Sequence, residues 1–600
     1  MATELIERPA TEPEAEPRPA PARRRLHGHR LILAAYLVTG FALMGGIWLD
    51  PAGRHHIDNP GDDQVLFEWM LSHTAHLLAD GGGNPLFSAL LNVPDGANLM
   101  ANTSVIAFGV LLAPVTLTLG APVSYALAMS LGLFGTAAAW YYLMYRHLKL
   151  ARGAAAVGAA LCAFGPSTIA HANGHLNFTA LFLVPLIIIA ILRLAEPGRA
   201  IRGGLVLGSL LIVQLFIGEE VVFLLALFMA VFVAIYAILE WQAVKPLIPR
   251  YLKGLVVAGL LAVAVMAYPL WFQFFGAQAY ASIPWPASEF PADLASFTAF
   301  PTDSLAGRIQ IPNLRLRHNV TEENTFFGLP LVVLTVVLAI WLYRRHRALR
   351  AVGFTAVFFA LLSLGVELRI NGNHTGIPGP YELFSALPLF GHTIPTRFAL
   401  VLLPVVALIV AFGLDRVIKM DKPARPGWYL AFALALVPLI PLPPNTEARE
   451  PVPDYITDGG WREHVSEGGT LIPVPIPERV TYDGQRWQMA ADFGFGVPLG
   501  AFIGPDEDGD GRWSGIPTPT AEIIMEIMDT GDVPRVTDTL REQAEVDFRY
   551  WRAEAVVLGP HEYRWALSAF LTMLLGPGQQ VDDVVVWQIN PDTGEVIAPR

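Results

Sequence analysis

Residues 220–241 read EVVFLLALFMAVFVAIYAILEW, an apolar run that carries charge only near its two ends. A helix needs about 20 apolar residues to cross the hydrocarbon core of a bilayer, so this run alone predicts a membrane span. Only 15% of the chain is charged, against about 25% in soluble domains. The chain is therefore predicted to be a polytopic α-helical membrane protein. Its apolar blocks lie near residues 31–49, 104–119, 122–145, 151–169, 177–194, 203–218, 220–241, 254–275, 326–343, 351–367, 396–414 and 427–442.

The composition on either side of these blocks divides the chain into three parts. Residues 1–28 are rich in Pro, Glu and Ala, which predicts a disordered cytoplasmic tail. Residues 29–442 form the predicted transmembrane domain. Residues 443–600 carry 27 acidic residues against 11 arginines and no lysine. Short alternating runs at 471–474 and 584–587, with helical patterns near 521–528 and 563–575, predict a soluble α/β domain there.

The distribution of Arg and Lys predicts the orientation. Basic residues cluster in five connections, which the positive-inside rule places in the cytoplasm together with the N-terminal Arg23–Arg25 triplet. Twelve spans do not satisfy this parity, so one early block is expected not to cross. Block 104–119 is short and contains Pro114, and we expect it to form a juxtamembrane or re-entrant helix. About 11 spans then leave the acidic C-terminal domain outside, and a 12-span arrangement stays open.

Several functions are disfavoured by what the sequence contains. The net charge of −12 and the lack of a basic stripe argue against a nucleic-acid partner. Cys162 is the single cysteine, so a disulfide framework and a cysteine metal site are excluded. No P-loop is present, which disfavours transport driven by the chain's own ATP hydrolysis. The acidic run 506–511 matches the opening of a calcium loop without its closing Glu, which favours an acidic turn.

The first outer loop holds two adjacent carboxylates, Asp62 and Asp63, before an amphipathic stretch at 64–79. A carboxylate held there at the membrane surface could deprotonate an acceptor hydroxyl or hold a divalent cation. The alternative is that the pair caps the helix and complements its dipole.

Polar residues also stand at the boundaries of later spans on the same predicted face. His171 and His175 lie between two spans, and Glu219 and Glu220 interrupt a long apolar sequence. Such residues are costly unless they are paired or face water, so they are candidates for function. Arg397 opens a span from the outer side, which suggests an anionic partner such as a lipid phosphate. Each has an alternative. The histidines could anchor the chain at the interface, Glu219 and Glu220 could form a solvated turn, and Arg397 could pair with an acid of the chain itself.

These pieces together resemble the GT-C class of integral-membrane glycosyltransferases, of the bacterial polyprenyl-phosphate-dependent type. The resemblance covers roughly residues 30–440 and is carried by short motifs. They are Gly61-Asp62 followed by Glu68-Trp69, Asn84–Phe87, Pro94–Asn98, Ala163–Ser167 with His171 and His175, Glu322–Gly328 and Pro395–Phe398.

The resemblance implies inverting transfer of a sugar from a polyprenyl-phosphate donor in the outer leaflet of a bacterial plasma membrane. Asp62, or the adjacent Asp63, would act as base or metal ligand. Arg397, His171, His175, Glu219, Glu220 and Glu68 would bind the donor, and a divalent cation could share the stabilisation of the phosphate. The acceptor would be a glycan, a lipid or a protein. A flippase for a lipid-linked glycan and a non-catalytic cell-envelope assembly protein remain the alternatives.

Overall fold

The computed structural model describes residues 22–58, 63–285, 289–309, 314–344, 347–478 and 481–597. Most of the predicted N-terminal tail lies outside these ranges. The longer elements in the first part of the chain are helices, joined by several long loops. The helices are α1 (Ala22–Leu43), α2 (Gly45–Trp48), α3 (Asp63–Ala79), α4 (Ile106–Leu119), α5 (Ala121–Tyr142), α6 (Arg152–Phe164), α7 (Pro166–His171), α8 (Leu176–Thr179), α9 (Leu183–Arg193), α10 (Ala200–Leu215), α11 (Glu219–Val244), α12 (Ile248–Phe275), α13 (Leu329–Leu342), α14 (Arg347–Ser363), α15 (Leu402–Ile418) and α16 (Arg425–Leu436).

Within the described residues, four helical stretches are long and apolar enough to cross a bilayer: 121–147, 152–171, 219–275 and 395–418. The third joins α11 and α12 through a bend at Glu240, whose backbone is not helical, and a short turn at 245–247. Other apolar helices are shorter. Helix α4 fills the block predicted not to cross and has 14 residues, about 21 Å of helix. The number of spans stays a prediction.

The connections that carry the basic residues lie together at one end of the helices. Arg347, at the start of α14, forms an ion pair with Glu240 at the bend between α11 and α12. Arg250, at the start of α12, donates a hydrogen bond to the carbonyl of Ala195, which lies between α9 and α10. These contacts join three of the five basic connections that the positive-inside rule places on one side.

The C-terminal segment contains the strands and helices that its sequence pattern predicts. A four-stranded sheet has the order β11-β12-β10-β7, with β7 parallel to β10 and the other neighbours antiparallel. Ile472, Val556, Ile524, Phe548 and Phe570 share its buried core. The strands are β7 (Thr470–Val474), β10 (Ala553–Leu558), β11 (Gln579–Val581) and β12 (Val584–Gln588), and the helices are α17 (Asp454–Thr457), α18 (Asp483–Ala490), α19 (Pro519–Thr530), α20 (Asp538–Trp551) and α21 (Arg564–Leu575).

Four two-stranded pairs complete the described secondary structure. They are β1 (Arg54–His56) with β6 (Thr446–Ala448), β2 (Phe87–Ser88) with β3 (Ala97–Asn98), β4 (Glu367–Ile370) with β5 (Asn373–Pro378), and β8 (Ile503–Pro505) with β9 (Gly511–Trp513). The β8–β9 hairpin contains the predicted acidic turn. There the Asp506 carboxylate accepts hydrogen bonds from the backbone N–H groups of Asp508 and Asp510, as in an ordinary tight turn.

The C-terminal segment packs directly on the first loop and on α3. Strand β1 of the loop pairs with β6 at the start of the segment. The Trp69 indole N–H of α3 donates to the side-chain oxygen of Gln488 at 3.0 Å. Arg449 donates from both guanidinium Nη atoms to the carboxylate of Glu68, at 3.0 and 3.1 Å. Helix α3, which begins at Asp63, is therefore held in place partly by residues almost 400 positions later in the chain.

Candidate functional site

Asp63 occupies the first turn of α3, where a carboxylate complements the positive end of the helix dipole. The helix is anchored by fully buried side chains, among them Trp69 and Leu71, so its first turn has a fixed position. The helix bounds agree with the predicted amphipathic stretch. Asp62, the other predicted carboxylate, lies outside the described residues.

Two histidines connect Asp63 to the middle of the site. His175 Nε2 lies 2.8 Å from Asp63 Oδ2, and His175 Nδ1 lies 2.7 Å from His171 Nδ1. Helix α7 ends at His171, and Gly174, with a φ of +146°, turns the chain back toward α8. A side chain at Gly174 would strain this backbone. The turn thus places two imidazole rings side by side.

The loop before α13 continues the network from the far side of His171. His171 Nε2 lies 3.0 Å from Asn324 Oδ1, and the Asn324 amide donates to Glu322 Oε2 at 2.8 Å. The Asn319 side chain accepts a hydrogen bond from the Glu322 backbone N–H and fixes the short turn at 320–322. Glu322 and Asn324 therefore join the predicted histidines.

Arg397 closes the network at the start of a span. Its Nε and Nη2 atoms donate to Glu322 Oε1 at 3.0 and 2.8 Å, and its Nη1 donates to Glu220 Oε2 at 2.8 Å. The guanidinium also lies over the Phe178 ring, 4.8 Å from its centroid. One alternative for Arg397 was an ion pair with Glu220, and this pair is present. Glu322 is a second partner of Arg397.

The structure thus joins seven groups from five segments into one hydrogen-bonded path from Asp63 to Glu220. In order, the path runs through His175, His171, Asn324, Glu322 and Arg397. Its three carboxylates outnumber its single guanidinium. The ring contacts to Asp63, between the imidazoles and to Asn324 also need three protons, whereas two neutral rings carry two. Buried charges need compensation, so the path has the composition of a site that takes up positive charge.

Three of these side chains have the arrangement of a metal site. Ligand atoms of His171, His175 and Glu322 all lie within 4.8 Å of one another. Two imidazole nitrogens and one carboxylate oxygen suit Zn²⁺ or another transition metal better than Mg²⁺ or Ca²⁺, which prefer oxygen ligands. The donor set and the excess of negative charge therefore fit a divalent cation.

The remaining predicted residues lie beside the path or away from it. Glu219 accepts a hydrogen bond from the Gln273 amide at 2.8 Å and does not contact Arg397 in the described contacts. Glu68 is a different case. It is 1% exposed and its carboxylate is taken up by Arg449 and Gln64, at the interface between α3 and the C-terminal segment. These contacts commit the Glu68 carboxylate to that interface, which is at odds with the predicted contact to the donor.

The sequence prediction missed the roles of the 301–324 loop. Glu322 and Glu323 are adjacent acids followed by Asn324, the same signal that singled out Glu219 and Glu220. The path of the long loop around them cannot be read from the sequence.

Burial raises the pKa of the Glu323 carboxyl, which Arg317 and Thr302 hold, and burial likewise raises the pKa of Asp303.

A small pocket lies beside α7, close to the path. Its wall includes the carboxyl-bearing residues Asp303 and Glu323 and the apolar side chains of Phe164, Ile169 and Leu439. None of the predicted site residues that the structure describes lines this pocket. Ala170 and Glu323 in its wall are the direct chain neighbours of His171 and Glu322.

No family model and no curated protein sequence matches this chain. Among solved structures it is similar to ArnT from Cupriavidus metallidurans in the apo state, at 11% identity and a TM-score of 0.45 over 94% of this chain and 98% of that chain. It is also similar to the oligosaccharyltransferase from Archaeoglobus fulgidus in the apo form, at 13% identity and a TM-score of 0.49 over 88% and 69% of the two chains.

A third similar structure is the Archaeoglobus fulgidus oligosaccharyltransferase AglB in complex with an inhibitory peptide and a dolichol-phosphate. It shares 14% identity and a TM-score of 0.45 over 89% of this chain and 70% of that chain. Both kinds of neighbour are membrane glycosyltransferases of the GT-C class. Because every TM-score is below 0.5, we assign activity and residue roles from the geometry of the site alone.

Proposed function

We propose that this protein is an integral-membrane glycosyltransferase of the GT-C type. It would transfer a sugar, with inversion at the anomeric carbon, from a polyprenyl-phosphate donor to an acceptor hydroxyl at the outer face of a bacterial plasma membrane. The observation that carries the proposal is the path from Asp63 to Arg397. The path connects the Asp63 carboxylate, which is suited to accept a proton, with the Arg397 guanidinium, which is suited to bind a phosphate. Both lie at the boundary of the predicted spans.

Asp63 is the proposed base. Its carboxylate would accept the proton of the acceptor hydroxyl as that oxygen bonds to the anomeric carbon. The bond from that carbon to the phosphate oxygen breaks, and the polyprenyl phosphate leaves with the electron pair. His175 would hold one oxygen of Asp63 in place, at 2.8 Å, so that the carboxylate points in one direction. His175 is in this account a positioning residue.

Arg397 is the proposed partner of the donor phosphate. Its guanidinium is already held by Glu220 and Glu322, which fix its orientation but also offset its charge. The donor phosphate carries one negative charge and gains a second as the bond to the sugar breaks, so further positive charge is needed there. A divalent cation held by His171, His175 and Glu322 would supply electrostatic stabilisation of the leaving phosphate.

The separation of charges along the helices supports the proposed orientation. Basic connections contact one another at one end of the helices. The residues of the path lie at other helix ends: Asp63 begins α3, His171 ends α7 and Glu220 lies in the first turn of α11. The positive-inside rule then places the path and the acidic C-terminal domain on the outer face. A lipid-linked donor would reach this face through the membrane.

The proposal is tested by identifying the donor. We expect purified protein to retain a polyprenyl-phosphate sugar that lipid extraction and mass spectrometry detect, and we expect the Arg397→Gln variant to retain much less. The matched control is Arg541→Gln, which removes a surface arginine of the C-terminal segment that pairs with Asp538. If wild type and both variants retain the same lipids, and no polyprenyl-phosphate sugar is among them, the proposal fails.

A further inference from the structure

The loop between α14 and α15 contains an apolar rim that faces away from the protein. We define the rim loop as residues 380–392. Leu383, Leu387 and Leu389 are 82%, 49% and 46% exposed, and Ala386 and Pro388 between them are exposed as well. Neighbouring apolar side chains exposed in this way mark a surface that binds another apolar phase or partner.

The opposite side of the rim loop packs on the start of α11 and on the helical turn at 395–401, which contains Arg397. Tyr381 is fully buried, and its hydroxyl donates to the carbonyls of Phe390 and Thr393. The Phe390 ring stacks on Phe398 at 5.5 Å, and Phe223 meets Phe390 edge-on at 5.5 Å. Phe223 lies one turn after Glu219 and Glu220. The exposed rim therefore belongs to a structured loop beside the path.

The rim loop returns along α14 after that helix has ended. Phe384 packs edge-on against Phe358 of α14, with ring centroids 5.8 Å apart. Phe358 precedes the last residue of α14, Ser363, by five positions, or about 7.5 Å of helix. The chain thus leaves the helix end and descends beside it before it turns back to Arg397.

On the predicted topology, in which α14 crosses the membrane, its length puts this descent at membrane depth. Its 17 residues span about 25 Å, less than the hydrocarbon thickness of about 30 Å, and any tilt shortens that further. Its start at Arg347 pairs with Glu240 among the basic connections. A helix of about 25 Å that begins at one polar boundary does not extend past the hydrocarbon boundary on the opposite side. A loop that turns back along the helix from this end therefore enters the hydrocarbon.

An exposed apolar stripe on α14 leads to the rim. Phe354, Val357 and Leu361 follow one another at helical spacing and are 49%, 58% and 45% exposed. Exposed apolar residues on a span face lipid. The rim leucines continue this surface beyond the helix end. Because the bilayer covers the stripe, we expect the bilayer to cover the rim as well.

We propose that residues 380–392 form a re-entrant segment that inserts Leu383, Leu387 and Leu389 among the acyl chains of the leaflet on the site's side. The segment would form the wall between the bilayer and the Arg397–Glu220 pair. Backbone groups that enter the membrane need internal partners, and the Tyr381 hydroxyl supplies one donor, shared between the carbonyls of Phe390 and Thr393.

Site-directed spin labelling tests this placement. Cys162 is the single cysteine, so Cys162→Ala provides a background for one added cysteine. A nitroxide at Leu387→Cys is compared with one at Val357→Cys, on the exposed stripe of α14, and one at Asn373→Cys, on the exposed polar hairpin. The full chain is placed in vesicles of phosphatidylethanolamine and phosphatidylglycerol, and collisions with oxygen and with a water-soluble nickel chelate are measured.

We expect the oxygen-to-nickel ratio at position 387 to match that at 357 and to exceed that at 373 several-fold. A ratio at 387 equal to that at 373 would overturn the proposal, because the rim would lie in water. A label at 387 that neither reagent reaches would overturn it too, because protein, such as a second copy of the chain, would cover the rim. The readout does not use sugar transfer, so it is separate from the test of the proposed function.

Discussion

His175 Nε2 and Asp63 Oδ2 lie 2.8 Å apart although the two residues are separated by 112 positions in the sequence. One residue follows the turn after α7 and the other begins α3, so the contact joins two segments that no local pattern connects. It orients the proposed base, and it links that base through His171, Asn324 and Glu322 to Arg397. The predictions below follow from this connection and from the packing that holds α3.

His175→Ala is expected to lower kcat by at least about tenfold, because Asp63 loses its orienting partner and the proposed cation loses one of its three ligands. His175→Gln, which keeps a nitrogen donor near Asp63, is expected to recover part of the rate. Steady-state kinetics of both variants with the identified donor checks this. A rise in KM with unchanged kcat would show instead that His175 binds the donor.

Removal of a metal ligand is expected to abolish tight binding of a divalent cation. Glu322→Gln is expected to raise the Kd for Zn²⁺ by at least about 100-fold, since loss of a direct ligand costs more than the 10- to 100-fold of an outer-shell partner. Glu323→Gln is the matched control, because Glu323 is held by Thr302 and Arg317 and is not one of the three ligands. Isothermal titration calorimetry measures both, and equal affinities in the two variants would exclude this metal site.

The Glu68–Arg449 pair is expected to support the fold. Arg449→Met leaves a buried carboxylate without its charged partner, and we expect a loss of about 3–5 kcal/mol in stability. The double variant Glu68→Leu/Arg449→Met removes both charges and is expected to lose less than the single variant. Thermal unfolding monitored in detergent compares them. If the double variant is the less stable of the two, the pair is not the reason for the loss.

His73 is expected to make the contact between α3 and the C-terminal segment sensitive to acid. Its ring stacks on Trp69 and meets Phe493, and burial, with a smaller contribution from His76, lowers its pKa to about 4. The unfolded chain therefore binds more protons between pH 4 and pH 6.5. Stability rises with pH across that window, by about 3 kcal/mol for this group.

The matched measurement compares wild type with His73→Phe, which keeps an aromatic ring and does not titrate. We expect the unfolding temperature of the wild type to fall more steeply than that of the variant as the pH drops from 6.5 to 4. Parallel pH profiles would show that His73 does not contribute.

Much of the site could be predicted because polar residues are rare near membrane spans. That rule singled out Asp63, His171, His175, Glu220 and Arg397, which the structure brings into one path, although their roles stay predictions. The partners that complete the path come from tertiary structure. Glu322 reaches Arg397 only because the loop before α13 folds back across the helix ends.

Glu68 entered the prediction by another route. The resemblance to the GT-C class placed it with the donor, because Glu68-Trp69 is one of the matching motifs, whereas the structure shows it in an ion pair with Arg449. Its partner, Arg449, lies 381 positions later, and a contact of that range has no signal in one sequence. The elements of the C-terminal segment were predictable because local periodicity determines them, whereas their packing on α3 was not.

The most direct test of the central claim is the rate at which purified Asp63→Asn protein consumes a polyprenyl-phosphate sugar in the presence of cell-envelope acceptors. Asp62→Asn serves as the neighbouring control. Because general base catalysis contributes about 10²- to 10⁴-fold, we predict that Asp63→Asn releases polyprenyl phosphate slower than wild type by that factor, while it still retains the donor. Release at the wild-type rate by the folded Asp63→Asn protein would contradict the account.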